Sequence, residues 1–266
     1  MGEIYGRAAQ VRIWLGPLEI LAEKRAEQST ASQVLEMLSQ GTPFLQICQL
    51  LLDWPKEKLS MKKWYNACEN EPRYRESGDS FLSSISSLYH RPWWGRVWVM
   101  QEVVLASNAK MQWGSWIMSF DTLLSAYHNL KDDMQKNFSR LEVGFGPKKL
   151  RDFLAMVDSR IEPIKICQAF QKRLSDSNHT NQSTTPYLGF VQVLATTITR
   201  QATDPRDKVY GVLAMAPPPV ARAMVPNYDK TISEVYVDTA YHILHSSRSY
   251  ILLHRATSDQ TSNLPS

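Results

Sequence analysis

Arg91 to Ala106 reads RPWWGRVWVMQEVVLA, and three tryptophans, Trp93, Trp94 and Trp98, fall within six positions of it. Arg91, Arg96, Gln101 and Glu102 are interleaved with them. Pro92 can open a helix, which would bring Trp94, Val97, Trp98 and Gln101 near one face. Val103-Val104-Leu105 has strand character and predicts a turn into the next element. As packing, the stretch is an aromatic knot in which Arg96 stacks on an indole or pairs with Glu102. As a surface, its Trp and Arg are the residue types that dominate interface hot spots. Tryptophan clusters more often fill cores, so packing is the favoured reading.

Working outward, Val11, Ile13 and Leu15 alternate with Arg12 and Trp14 until Gly16-Pro17, which predicts a short strand. Gly2 to Ala9 ahead of it reads as the tail of a helix. Thr42-Pro43 supplies a cap and an N1 proline for Phe44, Ile47, Leu50 and Leu51, with a stop at Trp54-Pro55. Lys56 to Arg75, charged and aromatic, predicts a helix followed by a loop. Asp79 is placed to cap a helix whose apolar face is Phe81, Leu82, Ile85, Leu88 and Tyr89. Gly114-Ser115 marks a turn between Lys110–Trp113 and Trp116–Met118. Lys131 to Lys149 is polar, contains Gly144 and Gly146, and predicts a loop. Arg173 to Thr185, rich in Ser, Thr and Asn, predicts a flexible linker.

Two later helices have sharp starts. Asp204-Pro205-Arg206-Asp207 has the order of cap, proline and charge expected ahead of Val209, Val212 and Leu213. Asp207 as a catalytic group would need a partner that the sequence does not name, so capping is favoured there too. Thr231-Ile232-Ser233-Glu234 is a capping box for a helix with Val235, Tyr236, Ala240, Ile243 and Leu244 on one face. The whole predicts a helix-rich α/β chain.

Composition narrows the function classes. The 266 residues are 43% hydrophobic and 21% charged, the balance of a globular protein. A net charge of +4 from 30 basic and 26 acidic side chains is dispersed, with no basic stripe of a nucleic-acid binder. Cys48, Cys68 and Cys167 are odd in number and far apart, which points to free thiols in a reducing compartment. No run approaches the roughly 18 apolar residues of a membrane span, and no signal-peptide core opens the chain. His242 and His245 lack the further ligands of a metal site. Phosphate loops and nucleophile elbows have no counterpart. The reading is a cytoplasmic protein with no metal and no cofactor.

The pattern RPW-aromatic-x-R-x-W-x-x-QE, with DPRDKVYGVL at Asp204–Leu213, resembles the heterokaryon-incompatibility (HET) domain family of filamentous fungi. Met1–Gly16, MGEIYGRAAQVRIWLG, is similar to that family's M-x-x-IY-x-x-A-x-x-V-x-x-WLG stretch. VPNYDKTISEVYVDTA is similar to its PDY-x-K-x-x-x-E-V-Y block, with Asn227 where aspartate is common. The closing NLPS looks like the start of its LPSWVPDW segment. The motif residues shared with the family are Arg91, Pro92, Trp93, Arg96, Trp98, Gln101, Glu102, Asp204, Pro205, Arg206, Asp207 and Tyr210.

The resemblance implies a relation to the TIR fold, a flavodoxin-like parallel α/β sheet. The family's opening blocks, Y-x-A-L-S-Y-x-WG and W-I-D-A-x-C-I-N-Q, have no counterpart here, so the chain is expected to be cut short at both ends. On that expectation residues 1–106 are the C-terminal portion of a HET domain. Residues 107–266 are then a mainly helical extension with a linker near 173–186. The strand at Val11–Leu15 should lack its full set of parallel neighbours. The implied function is a signalling or interaction module of fungal non-self recognition that triggers cell death. Its partners would be proteins, self-association included. The alternative implied by the TIR relation is NAD cleavage, with NAD as the bound molecule and Glu102 as the nominated catalytic residue. No complete catalytic constellation accompanies Glu102, and the chain alone is expected to leave NAD intact. A remnant without function is the third possibility.

Overall fold

In the computed structural model, residues 2–17, 22–52, 72–176 and 185–247 are described. The chain divides into two compact units. One comprises Gln10–Trp94 and Asn108–Ile161; the other comprises Met1–Ala9, Gly95–Ser107 and the stretch from Glu162 onward. The RPWWGRVWVMQEVVLA stretch is thus split between Trp94 and Gly95. The stop at Trp54-Pro55, most of Lys56 to Arg75, Cys68, the centre of the 173–186 linker and the closing NLPS lie outside the described residues.

The first unit holds the sheet. Strand β1 (Val11–Trp14) pairs in parallel with β2 (Ala109–Trp113), and β2 pairs antiparallel with β3 (Trp116–Ser119), in the order β1-β2-β3. β1 alternates buried Val11 and Ile13 with exposed Arg12 and Trp14, as its period of two dictates. Among the described residues it stands at the sheet edge with β2 as its parallel neighbour. The sheet is mixed, and only its β1–β2 half is parallel. Gly114-Ser115 makes the expected turn between β2 and β3.

Among the described residues, four helices lie wholly in this unit, α2 (Ala22–Ser39), α3 (Phe44–Leu51), α4 (Pro72–Tyr89) and α6 (Phe120–Phe145), while α1 (Gly2–Arg7) and α5 (Val99–Val104) belong to the second unit. Phe44, Phe81 and Phe145, one from each of α3, α4 and α6, meet with ring centroids 5.8 to 6.3 Å apart. Trp94 is fully enclosed beside Trp93 and Tyr89, and its indole Nε1 donates to the Leu88 carbonyl at 2.8 Å.

Several local expectations are corrected. Lys131 to Lys149 is helix: α6 runs to Phe145, and α7 (Pro147–Asp176) follows directly. Leu130, Met134, Leu141 and Phe145 are buried at helical spacing, so the polar residues between them are a solvated face. The stretch is kinked at Asn137, where φ is −120° and ψ 17°, and interrupted at Gly146. Its φ of 84° suits a residue without Cβ, and its N–H returns to the Glu142 carbonyl at 2.8 Å. Asp79 lies inside α4, pairing with Lys149 on the surface instead of capping. Val103 and Val104 are helical in α5, because the β-branched pair turns its apolar surface into a packed helix. Pro92 starts only one 3-10 turn, Pro92–Gly95, and no continuous helix links Trp94 to Gln101. The described ends of the expected linker are helical: Arg173 to Asp176 closes α7, and Thr185 opens α8 (Thr185–Thr197).

The second unit is helical: α8, α9 (Asp207–Leu213), α10 (Pro218–Ala223) and α11 (Ile232–Ser247) join α1 and α5 there. The Thr231–Glu234 capping box forms as read. Thr231 N and Oγ1 donate to Glu234 Oε2 at 2.7 and 2.8 Å, and Glu234 N donates back to Thr231 Oγ1 at 3.3 Å. These bonds hold the Glu234 carboxyl below its ordinary range. Cys48 and Cys167 are free and buried, and burial pushes both thiols up.

Candidate functional site

The second unit brings the two motif segments together. Val97 N donates to the Gln201 carbonyl at 3.0 Å, Gln201 N donates to the Gly95 carbonyl at 2.6 Å, and Arg96 and Gln201 form a parallel bridge. Through this splice α5 meets α9. Buried Gln101 donates from Nε2 to the Tyr210 carbonyl at 3.1 Å. A Cβ on Gly211 would lie 3.0 Å from Val97 Cγ2, so glycine permits this close approach.

Asp207 sits at the mouth of the contact. Its Oδ2 accepts from Trp98 Nε1 at 3.3 Å and its Oδ1 from the Tyr228 hydroxyl at 2.7 Å. Asp204 accepts Arg206 N at 2.9 Å in a tight turn, and its two oxygens take Arg206 Nε and Nη2 in a fork. The guanidinium holds the Asp204 carboxyl below the ordinary range. Arg206 Nη1 donates to the carbonyls of Tyr228 and Lys230, tying the loop ahead of α11 to the motif. The Tyr210 hydroxyl donates to the Asn227 carbonyl at 2.9 Å and accepts Asn227 N at 3.2 Å.

Lys208 extends the lock to α8. Its amine donates to the carbonyls of Thr197, Ile198 and Arg200, where α8 ends and its last carbonyls lack helical partners. Burial lowers the lysine's pKa from its ordinary value. Nothing in the residue order announces Lys208 or Tyr228, since both sets of bonds depend on chain segments that fold back to them.

Glu102 is half-buried on α5, and Arg96 is exposed. Both act on Tyr5 of α1: burial and the Glu102 charge push the phenol up, and Arg96 pulls it down. Pro205 is exposed, and its carbonyl accepts the Tyr236 hydroxyl at 3.1 Å. Trp93 is buried and Arg91 stacks on Trp113 with its guanidinium carbon 4.5 Å from the ring centroid, both in the first unit. The stacking on an indole is thus made by Arg91. No group of His, Cys, Asp and Glu suited to a metal occurs among the described residues. Asp207 and Arg206 are occupied by structural bonds, and what they provide is a fixed geometry for the segment before α11.

Tyr228 gives a pH-dependent test. Burial and the bond to Asp207 raise its pKa from about 10 to about 12. Below pH 10 the phenol is neutral in folded and unfolded chains, and its contribution is complete. As pH climbs towards 12 the unfolded chain ionises first, so the contribution is lost across that window. Urea midpoints of the wild type and Tyr228→Phe should therefore differ at pH 9 and converge towards pH 12. A constant gap would contradict this assignment.

Comparisons with protein-family models, curated proteins and solved structures find no match for the chain.

Proposed function

We propose that the chain is a signalling module of the HET-domain type, acting in the cytoplasm in fungal non-self recognition through association with protein partners, further copies of itself included. The observation that carries the reading is the Trp98–Asp207 and Gln101–Tyr210 pairing, each spanning 109 positions. The two segments on which the family resemblance rests meet within one unit, which supports the reading. A second support lies on α11. Ile232, Tyr236, Val237 and Tyr241 are 41 to 65% exposed on that helix, and aromatic surface of this kind suits protein association. No described helix is long and apolar enough to cross a membrane, which is compatible with this setting.

Induced expression of the chain in a filamentous fungus should arrest growth, and Trp98→Ala, which removes the Asp207 bond, should abolish the arrest at equal protein level. Growth unaffected by the wild-type chain overturns the reading. Nicotinamide release from NAD by the purified chain, lost in Glu102→Gln, would replace it with the NAD-cleaving alternative.

A further inference from the structure

The backbone of β1 divides between two sides. Val11 N donates to the Asn108 carbonyl at 2.9 Å and Leu15 N to the Gln112 carbonyl at 2.8 Å. The odd-numbered residues therefore turn their N–H and C=O groups to β2. Strand alternation turns those of Arg12 and Trp14 the other way, along the edge of the sheet. Among the described residues no strand pairs with that edge. Such a row of backbone donors and acceptors is a template for a further strand.

The side chains at the edge are equally open. Arg12 is exposed and Trp14 is 54% exposed, both on the face opposite buried Val11 and Ile13. Among the described residues, no ion pair, side-chain hydrogen bond or ring contact engages either of them. A guanidinium and an indole attract each other, the cation seating over the ring face. A second copy of the same edge supplies that pairing, and charge selects its register. In a two-fold antiparallel pair of β1 strands, Arg12 opposite the partner's Arg12 sets like charges side by side, which is unfavourable. Trp14 opposite the partner's Trp14 leaves Arg12 beside the partner's Gly16, which has no side chain to meet it. Arg12 opposite the partner's Trp14 seats a cation on a ring on each side of the axis. Each such pair also exchanges both of its backbone N–H···O bonds, and Ile13 meets the partner's Ile13 at the axis.

We propose that the β1 edge is a self-association surface, at which two copies of this chain join antiparallel into one continuous sheet, Arg12 of each over the Trp14 of the other. The surface rests on the association reading above, since it is the place where copies of the chain would meet, and the two fail separately. A dimer that leaves fungal growth unaffected keeps this interface and removes that reading; a monomer that arrests growth does the reverse.

Sedimentation equilibrium of the purified full chain tests the assignment. The weight-average mass should rise with concentration towards twice that of the chain. Trp14→Arg sets cations opposite each other and should weaken association by about tenfold or more. The exchange of both residues, Arg12→Trp with Trp14→Arg, again places a cation opposite a ring and should recover the dimer, which a merely structural role of Trp14 would not do. Arg12→Pro removes an edge donor that β2 does not use, so the dimer should be lost while circular dichroism shows the chain still folded. A wild-type chain that stays monomeric overturns the proposal. So does a dimer that Trp14→Arg and Arg12→Pro leave intact, or an exchanged variant that associates as weakly as Trp14→Arg.

Discussion

Replacing Trp94 by alanine is expected to destabilise the first unit by about 3–5 kcal/mol, the range for removing a large aromatic side chain from a close-packed core. Trp94 has no exposed surface, and its ring lies 4.8 Å from that of Trp93 and 5.5 Å from that of Tyr89. Truncation opens a void among these rings and also leaves the Leu88 carbonyl without its indole donor. Against a typical total of about 5–15 kcal/mol, such a loss brings the fold near its midpoint. Trp94→Phe keeps most of the ring volume and loses the bond, so it should fall between the wild type and Trp94→Ala in urea-unfolding midpoint. An alanine variant within about 1 kcal/mol of the wild type would mean that the knot is loosely packed.

The second large effect is expected at Asp133, a carboxylate on the core-facing side of α6. Asp133 is 8% exposed; its Oδ2 accepts Leu45 N at 2.9 Å and its Oδ1 accepts Asn137 Nδ2 at 2.9 Å. Leu45 lies in the first turn of α3, whose N-cap residue, Pro43, makes no side-chain capping bond. Asp133 thus satisfies an N-terminal donor of another helix, and its negative charge suits that end of the dipole. Asp133→Ala leaves a buried N–H without an acceptor, at a cost of about 1–3 kcal/mol. Asp133→Asn retains a carbonyl acceptor and should be milder. Equal losses in the two variants, measured by denaturant unfolding, would show that the acceptor at Leu45 N is not what matters.

These two residues separate what is legible in the chain from what is not. Trp94 belongs to a tryptophan cluster, and burial is the favoured reading there because large aromatic surface gains most from leaving water. Asp133 sits in a polar stretch that predicts a loop, and its bond crosses 88 positions. No local pattern encodes a cap supplied by a distant helix. The same limit applies to the motif residues. The residue order offers Arg96 stacking or a pair with Glu102 and says nothing of Arg91, which stacks on Trp113, a residue of β2 brought close only by the fold.

The sequence by itself determined the elements whose signals are short in range. The β1 alternation, the turn at Gly114-Ser115, the Thr231–Glu234 box and the helix-rich α/β class all follow from backbone sterics and side-chain periodicity within a few residues. Tertiary structure alone decided the rest. It set the parallel pairing of β1 with β2 and made polar Lys131–Lys149 helical. It also placed Asp207 between Trp98 and Tyr228 and gathered α4's serines, His90 and Glu27 around one cavity. The physical reason is common to all four. Hydrogen bonds and burial are settled by which surfaces meet, and segments as much as 109 positions apart meet only when the chain is folded.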